Sequence, residues 1–343
     1  MINHTNDRDN FISDCPKYEY IPTQIDRVRR IVAIGDLHGD YNVTIRTLLL
    51  AKVIEISGEK LNWIGGDTIV VQVGDQIDRC RPKNGSCDED NDEDSDVLIL
   101  KLFTNLNTKA KKYGGQVISL FGNHEFMNVL GQMNYVSKKG IDGFANYIDP
   151  ITGQKFSNGL SGRQHAFKNE YSKFFACTRI GILTIGNNIF VHAGIIPDFI
   201  KKHNIKSIDD LHKINYLLRK WLLGEIEYSK IKSLVESDNT IFWTRQYGNP
   251  SFICHSECSE LNDQVFSILK VGHMIIGHTP QGRDSDGINS VCDGKVWRID
   301  NGMSDAFNKF DDIYIKTKKR SPNRKIQVLE ILNDTEFNIL IEK

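Results

Sequence analysis

No apolar stretch in this 343-residue chain approaches the roughly 20 residues needed to span a bilayer. The first ten residues, Met1 to Asn10, are polar and lack the apolar core of a secretory signal. Neither absence favours a membrane partner, and a cytoplasmic location is expected. No sign of charge dominates either: 43 Lys and Arg stand against 44 Asp and Glu, a net charge of −1. That balance argues against a nucleic-acid surface or a membrane-seeking basic face. Paired cysteine spacings are also missing. The seven cysteines (Cys15, Cys80, Cys87, Cys177, Cys254, Cys258, Cys292) are odd in number and scattered, so reduced thiols are expected. Cys80 and Cys87 flank a short loop and could pair under oxidation. Cys254, His255 and Cys258 lack the four-ligand spacing of a structural zinc site and read as part of a surface loop. There is no internal repeat and no heptad pattern, so the oligomeric state is not legible.

What is present is a core. Apolar residues make up 40% of the chain, enough for one large catalytic domain. Residues 1–28 read as a polar, poorly ordered lead-in and 29–343 as a single domain. Within it, 80–95 reads as an acidic, solvated surface loop. Residues 131–170 read as irregular structure rimming a pocket, where Asn134, Tyr135, Lys138, Lys139 and Arg163 offer donors. Helical spacing predicts a helix over Tyr41–Val53. Another follows the N-cap Ser95, with Leu98, Leu102 and Leu106 inward, and a third follows Ser207, with Leu211, Ile214, Leu218, Trp221 and Leu222 on one face. The tail reads as a hairpin turning at Asn333-Asp334.

Five short apolar runs carry the function. Ile31–Ile34 leads into Asp36 and His38, Thr68–Val73 into Asp75, and Gln116–Phe121 into Asn123 and His124. Ile189–Val191 leads into His192, and Met274–Ile276 into His278. Short β-branched runs bounded by glycine read as buried strands in an α/β fold. Ligand-type side chains therefore gather at the same end of several strands, where open α/β sheets place their chemistry. Carboxylate, amide and imidazole donors together suit manganese, iron or zinc better than calcium. Two such ions about 3.5–4 Å apart suit in-line displacement at phosphorus. Arg79 is spaced to hold phosphate oxygens. His124 follows the ligand Asn123 and is the natural proton donor to a leaving alkoxide, with Asp78 placed to orient it.

The motifs GDLHG (35–39), GDQIDR (74–79), GNHE (122–125), VHAG (191–194) and GHTP (277–280) resemble those of the calcineurin-like metallophosphoesterases, and within them the phosphoprotein phosphatase group. Residues 63–79, 122–131, 277–281 and 298–304 are more similar still to the Shewanella-like phosphatase branch. The resemblance spans roughly residues 28–305. It implies a central two-sheet β-sandwich flanked by helices, with a dimetal site at the C-terminal ends of strands. It implies that Asp36, His38 and Asp75 bind a first metal. Asp75 would bridge to a second, held also by Asn123, His192 and His278. Manganese is the first expectation, with iron or zinc as alternatives. It further implies attack by a hydroxide bridging the two metals. His124 would be the general acid supported by Asp78, and Arg79, Asn123 and Arg245 would contact phosphate. The expected substrate is a phosphoprotein, at Ser/Thr or Tyr. The alternatives are small phosphorylated metabolites or dinucleoside polyphosphates, and an inactive phosphoprotein-binding module. Cys80 departs from the glycine usual in that family after the Asp-Arg pair.

Overall fold

The computed structural model describes residues 4–82, 87, 92–249, 255–282, 285–318 and 323–343. The apolar runs do become strands, but they divide between two six-stranded sheets. One sheet has the order β14-β13-β2-β5-β6-β7. Its strands are β2 (Arg30–Ile34), β5 (Ile69–Gln72), β6 (Gln116–Leu120), β7 (Arg179–Ile180), β13 (Gln327–Leu332) and β14 (Glu336–Ile341). The other has the order β1-β8-β9-β10-β12-β11. It contains β1 (Gln24–Ile25), β8 (Ile182–Ile185), β9 (Asn188–Val191), β10 (His273–Ile276), β11 (Asn289–Val291) and β12 (Val296–Arg298). A separate hairpin pairs β3 (Ile54–Ser57) with β4 (Lys60–Trp63). The expected two-sheet α/β sandwich is therefore what forms.

Strand alternation builds the layers. Ile31 and Ala33 of β2 face inward with Ile69 and Val71 of β5, meeting Leu183, Phe190 and Ile275 of the opposite sheet. Val32 and Ile34 face outward against Val43 and Leu48 of helix α2 (Tyr41–Leu50) and Ile99, Phe103 and Leu106 of α3 (Asp96–Lys111). Ile189, Val191, Met274 and Ile276 of the second sheet face the other helical layer. Both faces of the central strands are thus buried, which is why these runs are continuously apolar rather than alternating. Parallel pairing of β2 with β5, β5 with β6, and β9 with β10 sends the chain out at the same edge each time.

Several expectations need correction. In α3 the inward stripe is Ile99, Phe103, Leu106 and Ala110, while Leu98 is exposed. Phe103 sets the helix rotation because it buries the largest ring on that face. Ser95 does not cap the helix with its side chain. Its Oγ donates instead to Gly39 O at 2.8 Å. The lead-in is structured: a helix α1 spans His4–Asp14, and Phe11 and Cys15 are buried on Cys177. Within α1, Asp7 is buried and ion-paired to Arg219 and His212, so its polarity marks an internal anchor, not a solvated tail. The thiols are paired, as Cys15–Cys177, Cys80–Cys87 and Cys258–Cys292. Separations of 162 and 34 residues are invisible to local spacing. Cys258 is thereby unavailable to any zinc corner. Cys254 lies outside the described residues.

The acidic loop is also less solvated than its composition suggests. Most of its run lies outside the described residues, but its end is built into the protein. Asp92 is buried and accepts from Ser137 Oγ and from Lys139 N, both at 2.7 Å. Glu93 accepts from Tyr41 N at 2.7 Å. Carboxylates here satisfy orphan backbone donors. The tail hairpin forms as expected, with Asn333 and Asp334 both at positive φ. Among the described residues no helix is long and apolar enough to cross a membrane.

Candidate active site

Asp36, His38, Asp75, Asn123 and His124 leave the β2-β5-β6 sheet, whereas His192 and His278 leave β9 and β10 of the other. The site therefore sits where the edges of both sheets meet. All seven side chains are buried. The turns that aim them are strained. His38 (φ 45°), Asp75 (φ 53°), Asp78 (φ 72°) and His278 (φ 68°) all adopt left-handed backbone. Each such residue costs on the order of 1–3 kcal/mol and persists only where the surroundings hold it. Glycine is required beside them by close approach. A Cβ on Gly122 would lie 2.1 Å from Asp75 Oδ1, and one on Gly277 would lie 2.3 Å from Asp36 Oδ1.

Two clusters share one carboxylate. His38, Asp75 and His124 form one, and Asp75, His192 and His278 the other, each with ligand atoms within 4.8 Å of one another. His192 Nε2 lies 3.4 Å from Asp75 Oδ2 and 3.0 Å from Asn123 Oδ1. His38 Nε2 lies 3.8 Å from Asp36 Oδ2 and 3.9 Å from Asp75 Oδ2. Backbone carbonyls orient the rings. Val73 O is 2.9 Å from Nδ1 of His192, and Ile77 O is 3.3 Å from Nδ1 of His38. In both rings Nε2 is then the nitrogen turned to the cluster. His278 is reversed, with Nε2 facing Trp243 O at 3.1 Å, so its Nδ1 is the available ligand atom.

The electrostatics fit cations. Burial pushes the Asp36 carboxyl well above its ordinary range, and the charges of Asp300 and Asp75 push the same way. Asp36 Oδ1 is buried without a hydrogen-bond partner, a costly state for a carboxylate oxygen unless a cation serves it. Burial would also raise Asp75, but His192, His124 and His38 outweigh it and hold that carboxyl well below its usual range. Burial lowers His38 and His278. His192 goes the other way: burial lowers it, but the Asp75 carboxylate beside it outweighs burial and raises it. The set of buried carboxylates, imidazoles and one amide oxygen suits metal ions.

His124, although one of the first cluster's donors, differs from its neighbours in its carboxylate partner. Its Nδ1 is 2.7 Å from Asp78 Oδ2, and its Nε2 is 3.8 Å from Asp75 Oδ2. Asp78 is itself fixed, since its Oδ1 accepts from Asn128 Nδ2 at 2.8 Å and its N–H reaches Asp96 Oδ1 at 3.1 Å. Arg163 closes this network. Its Nε donates to Asn128 Oδ1 at 3.0 Å and its Nη2 to Asp96 Oδ2 at 2.6 Å. Read from sequence as a rim donor, Arg163 is fully buried. Its fork-shaped donor set satisfies three inward-facing acceptors at once, which no solvent position does. Arg163→Met should cost about 3–5 kcal/mol in urea unfolding, because Asp96 would be left as a buried charge without its cation. A loss below 1 kcal/mol would refute this.

Other supporting groups were not foreseen. Glu125 accepts from Gly122 N at 2.7 Å, Gln76 N at 2.8 Å and Asp75 N at 3.0 Å, clamping the Asp75 turn onto the Asn123 turn. Its signal was the Glu three residues past Gly122, a helix-start pattern. Asp300 is buried with Oδ2 unpartnered, and burial pushes its pKa from 3.8 up to about 6. A raised carboxyl stabilises the fold fully below its unfolded pKa and loses that contribution as pH rises through the folded value. In metal-free protein, Asp300→Asn mimics the protonated form. It should gain about 2–3 kcal/mol over wild type as pH goes from about 4 to about 8. Urea titrations at both ends measure this, and a gap independent of pH would contradict it.

The expected phosphate-binding arginines fall in two settings. Arg245 is exposed, and its Nη1 donates to His278 O at 2.9 Å. Arg79 is buried and ion-paired to Asp40 Oδ2 at 2.8 Å, with Asp305 at 3.9 Å and Glu93 at 4.0 Å.

Residues 29–282 match the family described as calcineurin-like phosphoesterase. An uncharacterised protein of Acanthamoeba polyphaga mimivirus is 37% identical, covering 70% of this chain and 98% of its own length. Shewanella-like protein phosphatase 2 of Arabidopsis thaliana is 29% identical over 83% of this chain and 74% of its own. Among solved structures, a cold-active protein-tyrosine phosphatase of a psychrophilic Shewanella species superposes with a TM-score of 0.61 at 20% identity. That match covers 93% of this chain and 82% of the other.

Proposed function

The chain belongs to the calcineurin-like phosphoesterase family, and from that premise we propose that it is a metal-dependent protein phosphatase acting on phosphorylated Ser, Thr or Tyr. The observation that carries the chemistry is the two donor clusters that share Asp75, one of which includes a histidine, His124, held by Asp78 at 2.7 Å. The protein substrate is supported by the similarity to a Shewanella-like protein phosphatase along most of the chain.

Asp36, His38 and Asp75 would hold one ion, and Asp75, Asn123, His192 and His278 the other; the mixed oxygen and nitrogen donors suit manganese, iron or zinc, with manganese the first expectation. When bound, the two ions supply an acidified water and neutralise phosphoryl charge. The remaining work belongs to side chains. Asp78 holds His124 with Nδ1 toward itself, so Nε2 delivers the proton to the departing serine, threonine or tyrosine oxygen. Without that proton an alkoxide would have to leave unprotonated. Arg245 contacts phosphate from the His278 side. Arg79 supports phosphate binding from the position that Asp40 fixes.

A panel of phosphoserine, phosphothreonine and phosphotyrosine peptides, run beside a dinucleoside tetraphosphate with manganese present, tests the reading. At least one phosphopeptide should turn over faster than the dinucleotide. Turnover confined to the dinucleotide would replace the protein substrate with a small-molecule one.

A further inference from the structure

Arg81 lies two residues beyond Arg79, and no motif recruits it. It is nonetheless nearly buried, with 9% of its surface exposed. Its Nη1 donates to Asp78 O at 2.9 Å and Cys80 O at 2.8 Å, which fixes the plane of the guanidinium. The cation lies over two rings, 4.6 Å from the centroid of Phe307 and 5.7 Å from that of Tyr135. Each ring in turn meets a site imidazole edge to face. Tyr135 is 4.9 Å from His124, and Phe307 is 5.5 Å from His38. His38 and His124 are themselves 5.0 Å apart. Arg81, Tyr135, His124, His38 and Phe307 therefore close a circuit around the side of the site where the proton donor and one metal cluster meet.

We propose that Arg81 is a substrate-contacting residue that grips phosphoryl oxygens beside His124 through the N–H groups not given to the backbone. The inference rests on the phosphatase reading above. Three observations support it. A guanidinium held in a plane offers paired donors to a tetrahedral anion at little entropic cost. Arg79 gives its Nη1 to Asp40 and has Asp305 and Glu93 near its Nη2, so part of the motif arginine's donor set faces carboxylates and a second cation can share the phosphate. The carboxylates of Asp75, Asp78, Asp300 and Asp36 act on Arg81 from the site, which places it within their field. Stacking on Phe307 and Tyr135 keeps the cation from collapsing onto those carboxylates. The Cys80–Cys87 disulfide and the bond from Cys80 N to Tyr135 O at 2.9 Å hold the turn that carries it.

The test is inhibition by inorganic phosphate of p-nitrophenyl phosphate hydrolysis with manganese, using the full chain. Arg81→Gln should raise both the phosphate Ki and KM by about tenfold or more, the loss expected when charge-assisted bonds to an anion disappear. Arg81→Lys keeps the charge but loses the fork and should shift the same constants by an intermediate factor. A role confined to holding the turn would lower the melting temperature and leave Ki in place. Values of Ki within twofold of wild type in folded Arg81→Lys would overturn the proposal. Should neither variant fold, phenylglyoxal labelling of the wild type decides. Phosphate should protect Arg81 from modification, and undiminished labelling would overturn it. Absence of wild-type activity on any phosphomonoester would instead sink the phosphatase reading, so the two failures are distinct.

Discussion

Asp75→Asn should reduce kcat by at least about three orders of magnitude on any phosphomonoester, a barrier increase of roughly 4 kcal/mol. Asp75 is the one side chain common to both donor clusters, and its Oδ2 is within 3.4–3.9 Å of His192, His124 and His38. An amide keeps the volume and offers one oxygen, but it removes the charge that lets two cations sit side by side. The backbone should tolerate the change. Asn accepts left-handed φ as readily as Asp does, and Glu125 would still clamp the Asp75 and Gln76 N–H groups. The measurement is steady-state kinetics together with bound-metal analysis. Stoichiometry should fall from two ions to one or none. A variant that retained two ions and more than a tenth of wild-type kcat would remove Asp75 from the bridging position.

His124→Asn should show a loss that depends on the leaving group. On a phosphoserine peptide the departing alkoxide is strongly basic, and losing the proton donor should lower kcat by about 10²–10⁴. On p-nitrophenyl phosphate the departing phenolate is stable without a proton, and the loss should be much smaller. Metal content should remain at two ions, because His124 Nδ1 is engaged with Asp78 and its ring is assigned to proton transfer. Equal losses on both substrates would argue for a ligand or positioning role instead. Asp78→Asn gives a milder version of the same pattern, since Asn128 and the Asp96 carboxylate continue to hold its turn.

Much of the site was legible because its chemistry is local. Asp36 and His38, Asp75 and Asp78, and Asn123 and His124 each occupy one turn directly after an apolar strand, so residue type and spacing alone mark them. The strands themselves were legible as buried apolar runs, but which residues face the opposite sheet, such as Ile31 and Ala33, and which face the helices, such as Val32 and Ile34, was not, because both faces are apolar. Less local features escaped. In α3 Leu106 was read correctly as inward, but Leu98 was chosen over Ile99 because the two are equally apolar, and only packing selects between them. The cysteines were read as free because Cys15 and Cys177 meet only after 162 residues of chain have folded between them.

By itself the amino-acid sequence determined the strands, the turns that end them, and the inventory of donors a two-metal phosphoesterase needs. These follow from short-range sterics, hydrophobic patterning and the fixed chemistry of each side chain. Tertiary structure alone decided that the donors come from two sheets rather than one. It also decided that Arg163 is an internal brace, that Arg79 faces Asp40, and that Arg81 stands between two rings beside His124. A long arginine side chain reaches many partners from one backbone position. Which it meets depends on burial and on carboxylates distant in sequence, and those are set only when the sheets close on each other.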